Sequence, residues 1–304
     1  MTTWHPDKLP GPFQALGNTP LVAVTLTTPA GRAVRVHIKL EGLNPSGSVK
    51  DRAAVSMIKA AIREERLRPG HVLLDASSGN MAGALATYGR ALGVDVHVVC
   101  NDTITEAKRQ MIEHFGGSVI VNDEGPYTYD GYRKCLRLLT GGHRAYCFLD
   151  QLHSPHNPAA HEHGTGPELL SQYPDARLIV GSLGSGGTVL GVARAVRAAG
   201  HPAALAAVSS ASGSRLPGVG AFDDGDYRTP FIRELRAGAL VGHWPKVTSA
   251  SAARTLRQVT AAGLLCGPQT GAVVSAALDL ADELDLAEGI VAVSGDAGWK
   301  NWTP

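Results

Sequence analysis

One lysine stands where a run of turn residues gives way to a helical pattern. The segment reads Asn44-Pro45-Ser46-Gly47-Ser48-Val49-Lys50-Asp51-Arg52, and apolar residues recur at helical spacing over 49–62. Lys50 then lies on the first helical turn, where backbone N–H groups and the positive end of the helix dipole disfavour an ammonium. An amine helped towards its neutral form suits Schiff-base formation with a carbonyl compound, most commonly pyridoxal 5′-phosphate. A solvated lysine behind a capping Ser48 is the alternative for this segment alone.

A second segment has the composition of a phosphate-binding loop. An apolar run ends at Val180 and leads into Gly181-Ser182-Leu183-Gly184-Ser185-Gly186-Gly187-Thr188, after which a helix is predicted. Successive N–H groups of such a loop can point at one phosphate, and Thr188 adds a hydroxyl donor. Because the G-x-G-x-x-G spacing and the Walker lysine are absent, a single phosphate is a better ligand than a nucleotide. A plain tight turn is the alternative.

A third segment offers polar groups after a predicted strand. It reads Leu73-Leu74-Asp75-Ala76-Ser77-Ser78-Gly79-Asn80 and is followed by a helix rich in small residues from Met81 onwards. At the carboxyl end of a parallel strand, its hydroxyls and N–H groups could hold a substrate carboxylate, and Asn80 could donate to a cofactor phenolate. Ser77 or Ser78 could equally cap the helix, and the two roles are compatible.

Together these segments resemble the fold-type II pyridoxal-phosphate enzymes, in particular the cysteine synthase and cystathionine β-synthase group. The resemblance covers nearly the whole chain. Its further motifs are Gly17-Asn18-Thr19-Pro20-Leu21, Gln151 with Asn157-Pro158-Ala159-Ala160-His161, and Cys266-Gly267-Pro268-Gln269-Thr270-Gly271.

The resemblance implies a role for each site residue. It makes Lys50 the lysine that carries the cofactor, and it places Asn80 beside the cofactor phenolate. It assigns the substrate carboxylate to Ser77, Ser78, Gly79, Asn80, Met81 and Gln151. It assigns the cofactor phosphate to Gly184, Ser185, Gly186, Gly187 and Thr188, and it turns Thr270 towards the pyridine nitrogen.

The assignment of Thr270 has a chemical consequence. A hydroxyl partner leaves the pyridine nitrogen largely unprotonated, which makes the cofactor a weaker electron sink than a carboxylate partner would. Such a cofactor suits loss of a leaving group from Cβ of an activated serine, giving an enzyme-bound aminoacrylate that a nucleophile attacks. We therefore expect β-replacement on O-phosphoserine or O-acetylserine, with Lys50 as the base for the Cα proton.

A finer resemblance concerns the nucleophile. The stretch Arg215-Leu216-Pro217-Gly218-Val219-Gly220-Ala221 is similar to that of enzymes of the N-(2-amino-2-carboxyethyl)-L-glutamate synthase type, which serve routes to 2,3-diaminopropionate. This predicts an amine or amino acid as nucleophile and an acidic substrate group opposite Arg215, unless Arg215 is a surface arginine on a mobile loop. A cysteine synthase that uses sulfide or another thiol is the first alternative, and a serine or threonine dehydratase is the second.

Strand and helix patterns alternate along the chain, which predicts an α/β fold. We expect two domains, each with a mainly parallel sheet covered by helices, as in the tryptophan synthase β-like fold that the resemblance implies. The predicted division is a smaller domain over 43–154 that closes over substrate, and a larger cofactor-phosphate-binding domain over 10–42 plus 155–304. The predicted strands are 35–40, 72–75, 96–100, 118–121, 145–149, 178–180, 204–208 and 290–293, and the predicted helices include 51–66, 81–92, 106–115, 189–198 and 271–284.

Composition agrees with an enzyme that acts on small molecules. The chain has 304 residues, a net charge of +1 and 5% aromatic residues, so it offers neither a basic patch nor a stacking platform for nucleic acid. No apolar run approaches a membrane span, and the start lacks a signal-peptide pattern, so the expected location is cytoplasmic. The expected partners are amino-acid substrates and, from the family, a second copy in a homodimer.

Four histidines lie close together in the sequence between positions 153 and 163 and are candidate metal ligands. They are His153, His156, His161 and His163, and their spacing matches no zinc signature. We predict capping and packing roles for them and no metal site.

Overall fold

The fold is that of a computed structural model, which describes residues 4–102, 104–142 and 144–301. Met1, Thr2 and Thr3, on which the expected location partly rests, lie outside the described residues, as do the last three positions of the predicted larger domain. The strands in chain order are β1 (Leu21–Thr27), β2 (Ala33–Leu40), β3 (Val72–Ala76), β4 (Asp95–Asn101), β5 (Gly117–Asn122), β6 (Tyr146–Phe148), β7 (Leu178–Ser182), β8 (Ala204–Ser210), β9 (Lys246–Val247) and β10 (Ile290–Ser294).

The helices alternate with these strands. They are α1 (Lys50–Arg63), α2 (Asn80–Leu92), α3 (Glu106–His114), α4 (Thr128–Thr140), α5 (His156–Ala160), α6 (Gly166–Gln172), α7 (Gly187–Ala198), α8 (Pro230–Ala237), α9 (Ser249–Ala261) and α10 (Pro268–Glu283). A π-helical turn, His161–Thr165, joins α5 to α6. Short 3₁₀ turns cover Gly11–Ala15, Glu41–Leu43, Phe222–Asp224 and Gly298–Asn301.

Internal packing divides the chain into two units. The first unit comprises Met1–Leu16 and Lys50–Asn157, and the second comprises Gly17–Val49 and Pro158–Pro304. The short turn Gly11–Ala15, which we expected in the larger domain, belongs to the first unit, where Phe13 packs on the ring of Tyr88. The predicted closing movement of 43–154 concerns dynamics and stays a proposal.

The first unit contains a parallel sheet of four strands in the order β5-β4-β3-β6. Side chains alternate between its faces, as strand geometry requires. Leu73 and Val96 pack with α1 and α2 on one face, whereas Leu74 and Val99 pack with Cys135 of α4 on the other. Both faces are thus covered, which explains why these strands read as continuous apolar runs.

The second unit contains a sheet of six strands in the order β1-β2-β10-β7-β8-β9. The pairing of β1 with β2 is antiparallel, and the other pairings are parallel. Ile290 and Ala292 join the core formed with α9 and α10, while Val291 and Val293 join the core formed with α7 and α8. The predicted α/β class with mainly parallel sheets is confirmed.

The sequence patterns missed some elements. The predicted strands lie at observed strands, with ends that differ by up to two residues. The strand β1 is not among the predicted strands, and its side chains are mostly half-buried or exposed. The prediction also omitted β9, α8 and α9, which carry short or polar sequences. Among the described residues, no helix is long and apolar enough to cross a membrane.

A buried lysine fixes the Gly17-Asn18-Thr19-Pro20 motif in the second unit. Lys39 of β2 has a fully buried side chain, and its ammonium lies 2.7 Å from a carboxylate oxygen of Glu168. It also donates to the carbonyl of Thr19 at 2.7 Å and to Oε1 of Gln172 at 2.9 Å. Removing one partner of such a pair leaves an uncompensated charge, which is more costly than losing an exposed pair.

We predict that Lys39→Met lowers the free energy of unfolding by about 3–5 kcal/mol, because Glu168 loses its cation in a largely buried site. The matched control is Lys246→Met. Lys246 contacts Asp223 at 2.6 Å, but its side chain is 56% exposed, so its loss should cost at most about 1 kcal/mol. Urea unfolding of both variants checks this, and equal losses would contradict it.

Candidate active site

Lys50 is the first residue of α1 in the first unit. The side chain keeps some accessible surface, but the protein atoms around its ammonium desolvate it and lower its pKa to about 8. Burial penalises the charged form of an amine, which explains the direction of the shift. A substantial fraction of Lys50 is therefore a neutral amine at mildly alkaline pH.

The segment that leads to Lys50 is fixed within the second unit by Asn44. Its Oδ1 accepts the N–H of Gly17 at 3.0 Å. Its Nδ2 donates to the Glu41 carboxylate at 2.8 Å and to the Ser48 carbonyl at 3.3 Å. One buried amide thus bonds to three residues of the second unit and fixes the turn that precedes Lys50 in the chain.

The loop over residues 77–80 follows β3 in the first unit. Its serines bond to the neighbouring strand: Ser77 N–H donates to the Val99 carbonyl at 2.9 Å, and Ser78 Oγ accepts the N–H of Asn101 at 3.0 Å. Neither serine caps α2, whose N-cap is Gly79, so the capping alternative is wrong. The N–H groups of the first turn of α2, which begins at Asn80, have no intrahelical acceptor and face the loop end of the helix.

Met81 and Gln151 differ in which of their groups can contact a ligand. The Met81 side chain is packed in the core of the first unit, so only its backbone N–H is available to a ligand. Gln151 is brought to the start of the loop, because its Nε2 donates to the Ala76 carbonyl at 2.7 Å. Asn157 also donates to the Gln151 carbonyl at 2.7 Å. The structure thus joins Gln151 to the segment that carries loop 77–80, as the assignment of both to one carboxylate requires.

Asp75 was not singled out by the sequence analysis. It is 1% exposed on β3, and its carboxyl accepts the N–H of Ala76 at 2.8 Å and that of Gln151 at 3.2 Å. Burial raises its pKa from 3.8 to about 8, against the effect of these two N–H groups. An acidic residue between apolar neighbours at the end of a strand was the available signal.

We predict that Asp75 makes wild-type stability pH-dependent. The folded protein holds the Asp75 proton up to about pH 8, whereas the unfolded chain releases it near its ordinary pKa of 3.8. Stability therefore falls as pH rises, by about 2–3 kcal/mol from Asp75 alone between pH 6 and pH 9. Asp75→Asn should lack this part of the decline in urea unfolding at the two pH values. Parallel declines in both proteins would contradict it.

The glycine loop follows β7 in the second unit, and Gly187 begins α7. Gly186 has a φ of +88°, and a Cβ there would lie 2.8 Å from Cγ1 of Ile232. A Cβ on Gly184 would lie 3.2 Å from the Gly218 carbonyl. Glycine is therefore required at Gly186 for both conformation and space. The N–H groups that follow it open α7, a position that favours an anion.

Thr229 supports this loop from outside it, and the loop's own Thr188 contacts a buried histidine. Thr229 donates to the Ser185 carbonyl at 2.5 Å. Thr188 Oγ1 lies 3.2 Å from Nε2 of the buried His161, whose Nδ1 lies 2.9 Å from Oγ1 of Thr165. The sequence analysis gave His161 a packing role, and the structure adds that its ring contacts the hydroxyl of a predicted phosphate ligand. The described residues contain no group of His, Cys, Asp and Glu side chains that could hold a metal ion.

Thr270 and Gln269 lie in the first turn of α10, beside the carboxyl ends of β7 and β10. Thr270 Oγ1 lies 2.6 Å from Oγ of Ser294, at the end of β10. Gln269 donates to Ser182 Oγ at 2.5 Å and to the Gly218 carbonyl at 3.1 Å. The second unit therefore brings the glycine loop and the start of α10 to one edge of its sheet. Ser294 is a site residue that the sequence analysis did not single out.

Arg215 lies outside this group of contacts. Its side chain is 60% exposed and lies 3.6 Å from the carboxylate of Asp226. It also donates to the Asp224 carbonyl at 3.4 Å. An assignment of Arg215 to a substrate remains a prediction.

The residues of each unit fit one part of a pyridoxal-phosphate cofactor. In the first unit, Lys50 supplies an amine of lowered pKa for an aldehyde. In the second unit, the glycine loop leads directly into the start of α7, and backbone N–H groups at a helix start suit a phosphate. Thr270 supplies a hydroxyl and no charge.

Comparisons with known proteins agree with this fit. A family model described as "Pyridoxal-phosphate dependent enzyme" matches residues 12–296. Cysteine synthase B of Escherichia coli is 32% identical over 271 residues, which cover 88% of this chain and 86% of that protein.

Solved structures show the same fold. A hydrogen sulfide-producing enzyme of Fusobacterium nucleatum is 26% identical with a TM-score of 0.85, covering 96% of this chain and 99% of that one. An O-acetylserine sulfhydrylase isoform of Entamoeba histolytica is 26% identical with a TM-score of 0.81, covering 95% of this chain and 89% of that one. The extent of these matches, with a lysine and a glycine loop that fit the cofactor, shows that the chain is a pyridoxal-phosphate dependent enzyme of the cysteine synthase family.

Proposed function

We propose that the enzyme replaces the β-substituent of an activated L-serine, O-phosphoserine or O-acetylserine, with an amine or amino acid as nucleophile. The observation that carries the reaction class is the hydroxyl pair of Thr270, at the start of α10, and Ser294, at the end of β10, whose oxygens are 2.6 Å apart. A hydroxyl partner does not protonate the pyridine nitrogen, which favours loss of a β-leaving group over reactions that need long-lived carbanions.

Each residue has a separate part in this reaction. When bound, pyridoxal phosphate supplies an electron sink for the α-carbon of the donor amino acid. Lys50 would bind the cofactor aldehyde and, once released from it, accept the α-proton at Nζ, for which a pKa of about 8 is suitable. The N–H groups of loop 77–80 and Gln151 would hold the donor carboxylate. Loop 184–188 would hold the phosphate, and Asn80 would donate to the phenolate.

The proposed nucleophile rests on the stretch from Arg215 to Ala221. Gly218 in this stretch has a φ of +76°, and its carbonyl accepts from Gln269, so the stretch is tied to the start of α10. The exposed guanidinium of Arg215 suits an acidic group on a second substrate. This supports an amino acid with a second carboxylate over a neutral nucleophile.

Sulfide is the second candidate nucleophile. It is favoured by the names of the relatives, which include a cysteine synthase and a hydrogen sulfide-producing enzyme. A thiol or sulfide would need no contact with Arg215. The enzyme would then be a cysteine synthase, and Arg215 a surface residue.

Turnover assays separate these candidates. We expect purified enzyme to release phosphate or acetate from one activated serine and to form an amino-acid adduct with an acidic amine such as glutamate, detected by mass spectrometry. Faster consumption of sulfide than of any amine would support a cysteine synthase instead. Release of pyruvate alone, with no adduct, would support a dehydratase.

Lys50→Ala should reduce turnover by at least about a hundredfold, because the α-proton loses its base. Lys59→Ala is the matched control, since Lys59 lies on the same helix α1 and has no assigned role. Turnover that survives in the Lys50 variant would exclude the proposed role of this amine.

Gly186→Ala should lose the cofactor on dialysis, measured by visible absorbance, with an affinity at least about tenfold lower because the new Cβ displaces Ile232 and the loop. Gly200→Ala is its control, because Gly200 also has a positive φ, +61°, but has open space around its Cβ position. In both variants an alanine must adopt a left-handed backbone conformation, which lowers the stability of the fold by about 1–2 kcal/mol. Equal cofactor loss in both would mean that backbone strain, and not the loop cradle, is responsible.

A further inference from the structure

The carboxyl of Asp75 connects two chain segments that are 76 positions apart. Its Oδ1 accepts the N–H of Ala76, the residue before loop 77–80, at 2.8 Å. Its Oδ2 accepts the N–H of Gln151 at 3.2 Å. One side chain thus holds the backbone at both elements to which the donor carboxylate is assigned.

The segment around Gln151 contains a residue in an unfavourable backbone conformation. Asp150, just before it, has a φ of +56°, a conformation that non-glycine residues rarely adopt. The turn closes locally, since the N–H groups of His153 and Ser154 donate to the Asp150 carbonyl. An unfavourable backbone conformation persists where the surroundings impose it, and the Asp75 contact is part of those surroundings.

We propose that Asp75 is a positioning residue that orients loop 77–80 and Gln151 for the carboxylate of the donor amino acid. The inference rests on the proposed function, because it concerns how that donor is bound. Asp75 itself is buried and needs no contact with the donor.

The chemistry of the carboxyl explains why an amide cannot replace it. An ionised carboxylate accepts at both oxygens, so it satisfies two N–H groups at once. An asparagine has one accepting oxygen, and its NH₂ would face the second N–H. The N–H of either Ala76 or Gln151 would then lose its partner, which displaces one of the two elements.

Ionising this buried carboxyl has a cost that a side chain without a charge would avoid. Asp150, whose carboxylate lies 2.9 Å from His153 Nδ1, faces Asp75 with a like charge. The pKa of Cys135 on α4 is raised by burial first and by Asp75 second. The surroundings thus disfavour the ionised form of Asp75. The two hydrogen bonds that its carboxyl accepts, from Ala76 and Gln151, oppose this effect.

Donor kinetics test the proposal at pH 9, where Asp75 is ionised. Asp75→Asn should raise the donor KM by about tenfold, the effect of losing one hydrogen bond to a charged group, with little change in kcat. The methyl ester of the same donor lacks the carboxylate, so its KM should be the same in both proteins. At pH 6 the difference should shrink, because Asn resembles the protonated acid.

Asp95→Asn is the matched control, an exposed aspartate at the start of the adjacent strand β4, and it should behave as wild type. An equal rise in KM for donor and ester, or a difference that does not change with pH, would overturn the positioning role. If Asp75→Asn does not fold, Asp75→Glu keeps the charge and shifts both oxygens, so the same donor-specific rise in KM is expected.

Hydrogen exchange measured by mass spectrometry separates this proposal from the proposed function. Asp75→Asn should speed exchange at the amide of Ala76 or of Gln151, whichever loses its acceptor, and unchanged exchange at both would overturn the positioning role. A wild-type enzyme that turned over no activated serine would refute the proposed function, while the exchange data would still decide what Asp75 positions.

Discussion

The deprotonation of one amine is the requirement on which the site depends. An ammonium cannot attack an aldehyde or accept a proton, so Lys50 must reach its neutral form near physiological pH. Desolvation lowers its pKa to about 8, and the first turn of α1 adds the unfavourable field of a helix N-terminus. The buried amide of Asn44, which bonds to Gly17, Glu41 and Ser48, holds the preceding turn so that α1 starts at this lysine.

A neutral lysine cannot bind an anion by its charge. The carboxylate and the phosphate must therefore be bound by backbone N–H groups. In each unit a parallel strand ends in a loop that opens a helix: β3 leads to α2, and β7 leads to α7. N–H groups at such positions bind carboxylate or phosphate without introducing further charged side chains. The side chains around these loops act as supports, with Asp75 in the first unit and Thr229 and Gln269 in the second.

Local patterns in the sequence predicted those parts of the fold and the site that depend on local chemistry. Covered parallel strands are apolar along their length, so β3, β7 and β10 were found. The glycine loop was found because only glycine adopts the conformation of Gly186. The burial of Lys39 results from packing by distant parts of the chain, so no local pattern predicted it. The apolar neighbours of Asp75 were a local sign of burial, but they did not predict its hydrogen bond to Gln151. The same limit applies to the contact of His161 with Thr188.

The central claim, that Lys50 carries the cofactor, is tested most directly by trapping the bond. The holoenzyme is reduced with borohydride, digested, and mapped by mass spectrometry for a pyridoxyl group. The account predicts a single modified lysine, Lys50, in the peptide that contains Val49 and Asp51. A pyridoxyl group on Lys39, Lys59 or another lysine, or no modification of a cofactor-loaded enzyme, would contradict it.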